Sequence, residues 1–203
     1  MSSPQSLVQR KAALRAQALD RRARISASYA EQAAEAVARR LIDELAMPRG
    51  TVVAGYWPLS GELDPRPGLD RLRARGHPLA LPRLDGHDQP LVFLAWDADD
   101  VLVQGTFKLL EPDPARPVRV PEVVLAPLLA FDRRGGRLGY GKGYYDRTLG
   151  HLRSRSLRPL AIGIAFADQE VEEVPTGPAD APLDGVITER ALHLFAGSGA
   201  ASL

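Results

Sequence analysis

Between Gly135 and Asp146 the chain reads GGRLGYGKGYYD, with five glycines, three tyrosines, one arginine, one lysine and one aspartate in twelve positions. Glycines let backbone N–H groups come close to an anion, and a following helix points its positive end at the same place. Arg137 adds a planar fork of donors, and Lys142 adds a movable point charge. Asp146, in the first turn of the helix that should follow, suits a magnesium ion held beside phosphate oxygens. Tyr144 and Tyr145 add flat faces and hydroxyls. A surface turn with solvated charges is the plain alternative. So many chemically able side chains in one turn favour a site for a polyanion.

Two familiar phosphate loops fit only in part. Gly136 to Lys142 has the spacing G-x-x-x-x-G-K, but Gly143 stands where that loop needs a Ser or Thr hydroxyl for magnesium. Gly139, Gly141 and Gly143 give G-x-G-x-G, whereas the dinucleotide fingerprint needs G-x-G-x-x-G.

Elements must exist to hold this loop in place. The chain has 203 residues, enough for one well-buried core, so a single domain over 1–203 is expected. Its formal net charge of +1 disfavours a partner bound through a general positive field, such as nucleic acid. With no cysteine, disulfides and thiol nucleophiles are excluded. No apolar run approaches the roughly 20 residues that cross a bilayer, and the N-terminus lacks a secretory pattern. A cytoplasmic monomer without membrane contacts is expected.

Helical spacing runs from Leu7 to Arg24. Ser28 and Glu31 read as a capping box that opens a second helix toward Met47. TVVAGYW (51–57) reads as a strand, 67–75 as a short helix ended by Gly76, and PLALP (78–82) as a strand. Strand, helix, strand implies parallel pairing with a right-handed crossover. LVFLAW (91–96) is another strand, and the proline-rich segment from Gln104 to Pro121 an extended loop. The apolar run PEVVLAPLLAFD reads as a strand buried on both faces. The glycine loop follows it, and then a helix from Tyr144 to Arg155. Strands at 159–166 and 184–188 complete the set, with short disordered tails at 1–5 and 197–203. This is an α/β domain with a largely parallel open sheet, whose ligand site should lie at the carboxyl ends of the strands.

Lys11 and Arg15 are four apart and share a helix face. That pattern by itself describes a solvated face. Asp132 ends the buried strand, where it could brace the turn or join a metal shell, and bracing is the role expected. The four histidines show no metal-ligand spacing, and no Ser–His–Asp order stands out.

PLLAFDRRGGRLGYGKGYYDRTL (127–149) resembles the signature of the 5-formyltetrahydrofolate cyclo-ligase family, also called 5,10-methenyltetrahydrofolate synthetases. The resemblance extends over most of the chain. It takes in Lys11 and Arg15 as K-x-x-x-R, Tyr56, Pro58 and Glu62 as Y-x-P-x-x-x-E, Leu81 to Arg83 as LPR, Gly105 to Pro112, and AIGIAFADQ. It implies a three-layer α/β/α enzyme that uses ATP and Mg²⁺ to cyclise 5-formyltetrahydrofolate. It also implies ATP binding by Lys11, Arg15 and the loop Arg137, Leu138, Gly139, Tyr140, Gly141, Lys142, Gly143, Tyr144 and Tyr145, with Lys142 and Arg137 catalytic. Folate would meet Trp57, Glu62 and the Tyr140 to Tyr144 portion of the loop, and the metal would meet Asp146 and Asp180. Two positions depart from the family pattern: Lys108 replaces a common glycine, and Ala179 a common histidine before Asp180. They leave open a nucleotide-binding regulatory protein of the same fold, which substrate-dependent ATP turnover would separate from an enzyme.

Overall fold

A computed structural model describes residues 6–106 and 109–195. Lys108 and the two tails expected to be disordered lie outside the described residues. Helix α1 (Leu7–Ala23) opens with a capping box, in which the Ser6 hydroxyl accepts from Gln9 N and the Gln9 side chain accepts from Ser6 N. Helix α2 (Ala27–Asp43) starts earlier than the Ser28–Glu31 pattern suggests, because Ser26 is the cap and accepts from Tyr29 N at 3.2 Å, and it closes at the C-cap Glu44, short of Met47. Ile25 before the cap and Ala30 after it both pack on the core, the arrangement of a hydrophobic staple. Ser28 is left in the first turn.

Strand β1 (Val53–Ala54) is shorter than its apolar run. Helix α3 (Arg66–Ala74) leads into β2 (Leu79–Leu84), which pairs parallel with β1 as the βαβ reading requires. Strand β3 (Leu91–Trp96) returns antiparallel beside β2. The expected extended loop contains a small ladder, β4 (Val103–Gln104) against β5 (Leu110–Glu111). The long apolar run divides into β6 (Val123–Pro127) and β7 (Ala130–Phe131). Strand β7 forms a hairpin with β8 (Arg137–Leu138), just before the glycine loop and helix α4 (Tyr144–Ser154). Strands β9 (Leu160–Ile164), β10 (Gly185–Ile187) and β11 (Leu192–Leu194) finish the fold.

Seven strands form the main sheet in the order β11-β10-β9-β6-β1-β2-β3. All neighbours pair parallel except at the two edges, where β11 and β3 run antiparallel. Successive residues face opposite layers, and the two faces differ in size. Val53, Leu79, Leu81, Val123, Leu125 and Ile162 pack under α2 and α3 with Val37, Leu41, Leu69 and Leu72. Ala54, Ala80, Val124, Ala126 and Ala161 pack on the other side with Leu149 and Leu152 of α4. This is a three-layer α/β/α domain. Helix α1 stands apart from both layers: Leu14 and Ala18 pack on Leu129, Ala130 and Leu138, which belong to the hairpin and its entry.

That hairpin turns on Asp132. Its carboxylate is 1% exposed and accepts three backbone N–H bonds, from Arg134 (2.8 Å), Gly136 (3.0 Å) and Val174 (2.8 Å). Burial alone would push this carboxyl up, but the three donors with Arg134 nearby outweigh it and hold it below the ordinary range. Asp132→Ala should therefore lower the unfolding free energy by about 3 kcal/mol, read from urea melts. Because the folded value is depressed, the stability it contributes is complete above the unfolded carboxylate pKa of about 4. It is lost as pH falls through the folded value. Acid titration of Asp132→Asn should show a shallower fall in stability over that window than the parent.

Candidate active site

The carboxyl ends of β1, β2 and β6 open into a cavity of about 860 Å³, bounded by the glycine loop and lined by Lys11 and Arg15 from α1. That volume is near the upper end of the roughly 300–1,000 Å³ usual for small-molecule sites. Residues 137–147 all line it, as do Trp57, Glu62, Ala179 and Asp180. Every residue proposed for the site from the sequence therefore borders one space. Apolar walls come from Leu84, Leu91, Leu109 and Leu110.

Helix α1 turns one stripe toward the loops around this space, and its Lys11 and Arg15 line the cavity. Lys11, Arg15, Ala18 and Arg22 recur at i, i+4, i+7 and i+11, so the packing of Leu14 and Ala18 on the hairpin turns the cations toward the loops. Lys11 Nζ lies 2.5 Å from both carboxylate oxygens of Asp180. Arg15 Nε donates to the Gly139 carbonyl at 2.9 Å. The loop can lie this close to the helix because it lacks side chains there. Gly141 has φ +95°, and a Cβ on it would stand 3.1 Å from the Arg15 guanidinium carbon. Gly143 caps α4 in the left-handed region at φ +67°. The positive end of α4 is thus reached through two backbone conformations that disfavour side chains.

Arg137 and Asp146 form a pair. Nη2 of Arg137 donates to Asp146 Oδ1 at 2.7 Å, and the same oxygen accepts from Ala181 N at 3.1 Å. Asp146 thus reaches the backbone next to Asp180, so the two carboxylates proposed for a metal are neighbours despite their separation in sequence. Each is already engaged, since Asp180 holds Lys11 and accepts from Gly177 N at 2.6 Å. Among the described residues no group of three or more His, Cys, Asp or Glu side chains could hold a metal by itself. Two carboxylates do fit magnesium, which usually takes one or two from protein and completes its shell with phosphate oxygens and water.

Beside Tyr140 of the loop, Glu62 accepts from Leu59 N at 2.8 Å. Burial pushes its carboxyl up from the ordinary value, while Leu59 N–H, the Arg22 guanidinium and the Tyr140 hydroxyl each pull it back. Trp57 meets Trp96 edge-on at 6.2 Å and carries the Arg66 guanidinium 4.8 Å from its ring centroid. Burial raises the phenols of Tyr56 and Tyr145 well above their ordinary value, so both are neutral walls at neutral pH.

Two residues went unnoticed in the sequence. Arg147 stacks over Tyr144 at 5.0 Å and donates to the Lys142 carbonyl at 2.8 Å, which stiffens the loop exit. Arg22 bonds the Tyr140 hydroxyl at 2.5 Å. The helical stripe was a signal for Arg22, whereas nothing local marked Arg147.

The match to known proteins spans this region. The model of the 5-formyltetrahydrofolate cyclo-ligase family matches residues 7–189. The chain belongs to that family. It is accordingly an enzyme, and the matched span includes every residue of the site. A 5-formyltetrahydrofolate cyclo-ligase of Haemophilus influenzae is 30% identical over 171 residues, covering 82% of this chain and 90% of that protein. The one from Mycolicibacterium smegmatis is 35% identical over 149 residues, 70% of this chain and 75% of its own. Among solved structures, the 5,10-methenyltetrahydrofolate synthetase of Aquifex aeolicus superposes with a TM-score of 0.72 at 30% identity, covering 92% of this chain and 93% of its own.

Gly141→Ala should cost about 1–2 kcal/mol of stability from the left-handed backbone alone. The new methyl should also displace Arg15 from the Gly139 carbonyl. Urea unfolding measures the first effect, and a crystal structure of the variant shows the second.

Proposed function

We propose that the chain catalyses the ATP-dependent cyclisation of 5-formyltetrahydrofolate to 5,10-methenyltetrahydrofolate, with release of ADP and phosphate. One observation carries this reading: a glycine loop rich in cations and a half-buried carboxylate, Glu62, line a single cavity. The loop N–H groups, Lys142, Arg137, Lys11 and Arg15 suit a triphosphate. Glu62 suits the paired N–H donors of a pterin, with Trp57 and Tyr140 as ring contacts. Asp146 and Asp180 are the residues that would hold magnesium. The ion would offset charge on the phosphate oxygens.

The formyl group on N5 is an amide, and its oxygen is a poor leaving group. Transfer of the γ-phosphoryl group to that oxygen makes it a good one. N10 of the same folate then attacks the formyl carbon and gives up its proton, and phosphate departs with the C–O electron pair as the five-membered ring closes. Ring closure is intramolecular, so the substrate itself supplies much of the proximity. The protein's task is to align the γ-phosphate with the formyl oxygen and to balance developing charge. Lys142 and Arg137 are the residues assigned to that task, and no protein nucleophile is required. Ala179 replaces the family's common histidine at the cavity wall and takes no part in this scheme. Both substrates are small molecules, and among the described residues no helix is long and apolar enough to cross a membrane.

The test is formation of the methenyl product from 5-formyltetrahydrofolate, followed by its near-ultraviolet absorbance. It should require both ATP and Mg²⁺. ATP binding by folded protein without product would favour the regulatory alternative. Lys142→Ala should lose turnover by about 2–4 kcal/mol in barrier, the cost of one charge-stabilising donor. Unchanged turnover would remove Lys142 from the mechanism. Glu62→Gln should raise the KM for folate and leave that for ATP nearly unchanged, and an equal rise in both would count against a pterin contact.

A further inference from the structure

Arg22 has no role in the scheme above, yet it is only 7% exposed, which is rare for an arginine on an outer helix. It sits in the last turn of α1, and its guanidinium enters between two loops of the cavity. Nη2 donates to the Tyr140 hydroxyl at 2.5 Å and reaches the Ser60 carbonyl at 3.5 Å. The guanidinium carbon also lies 5.4 Å from the Tyr140 ring centroid. On the other side Gly61 adopts φ +78°, and a Cβ there would stand 3.3 Å from Arg22 Nε. The loop before Glu62 is bare where the guanidinium passes. Among the described residues Nη1 of Arg22 is buried without a hydrogen-bond partner, so the two loops supply the acceptors that place the group.

We propose that Arg22 is a positioning residue for the folate half of the site, clamping the Ser60–Glu62 loop to Tyr140 of the glycine loop. This rests on the proposed role of Glu62. Arg22 is absent from the cavity wall, so it acts through the two residues that do line it, Tyr140 and Glu62. The clamp holds them in fixed relation before substrate arrives, and it keeps a cation beside a carboxylate whose burial disfavours charge. The groups facing Glu62 are Arg22, the Leu59 N–H, the Tyr140 hydroxyl and the neutral phenols of Tyr56 and Tyr145. Arg22 is the cation among them that favours the ionised form. Without it the carboxyl titrates at higher pH, and folate binding by the carboxylate is lost sooner on acidification.

The experiment is steady-state kinetics over a pH series for Arg22→Met, Arg22→Lys, Tyr140→Phe and the Arg22→Met/Tyr140→Phe double variant, with the parent enzyme as control. Arg22→Met should raise the KM for folate about ten- to hundredfold, the worth of a charge-assisted hydrogen bond. kcat and the KM for ATP should change far less, and the acid limb of kcat/KM for folate should move to higher pH. The double variant should lose less than the sum of its parts. Arg22→Lys keeps the charge and loses the fork, so its folate KM should rise with the acid limb in place. It also serves as the test should Arg22→Met fail to fold. An unchanged folate KM in either folded variant, or equal rises in both KM values with an unmoved acid limb, would overturn the clamp. A parent protein that forms no methenyl product would overturn the functional reading and the clamp together, so the control separates the two failures.

Discussion

Three cations on one stripe of α1 hold together loops that are remote from one another in sequence. Lys11 takes Asp180, Arg15 takes the Gly139 carbonyl, and Arg22 takes Tyr140 and Ser60. The apolar neighbours of that stripe, Leu14 and Ala18, seat the helix on the β7–β8 hairpin. Without this docking the glycine loop would have no partner on its open side, and the cavity would lose a wall. Most exposed ion pairs contribute little. The Lys11–Asp180 pair differs because its side chains keep only 16% and 19% of their exposure. Its two groups also align a helix with the loop that carries the second proposed metal ligand.

The sheet serves the same end through its unequal faces. Large aliphatic residues fill the layer under α2 and α3, and small ones the layer under α4. Small side chains let a helix lie near the sheet. The N-terminus of α4 is thereby brought over the carboxyl ends of the central strands, where the glycine loop must act. Asp132 fixes the other end of that loop by collecting two N–H groups of its own turn and a third from Val174, which packs beside it.

Much of this was legible in the sequence. The βαβ unit, the buried central strand and the loop-to-helix junction follow from apolar runs, Pro and Gly punctuation and glycine chemistry. Tertiary facts were harder to read. The β7 and β8 strands have two residues each, too few for any periodicity. In SASYAE both serines can cap a helix, and Ser26 prevails because Ile25 before it finds the core. Arg137 is legible as a donor toward phosphate, but nothing local marks its pairing with Asp146. Arg22 belonged to a visible stripe, but its partner Tyr140 lies 118 residues away, so only the fold could reveal their contact.

The separation of α1 from its partners also has a consequence for biosynthesis. The helix leaves the ribosome before its partners, since Asp180 follows Lys11 by 169 residues and Gly139 follows Arg15 by 124. Local capping can form α1 early, but its cationic stripe must wait for partners far downstream. The central strands and their crossover helices can pair meanwhile. The nascent domain is thus a scaffold with an open rim until Asp180 has emerged, and the cavity closes after the strands around it have paired.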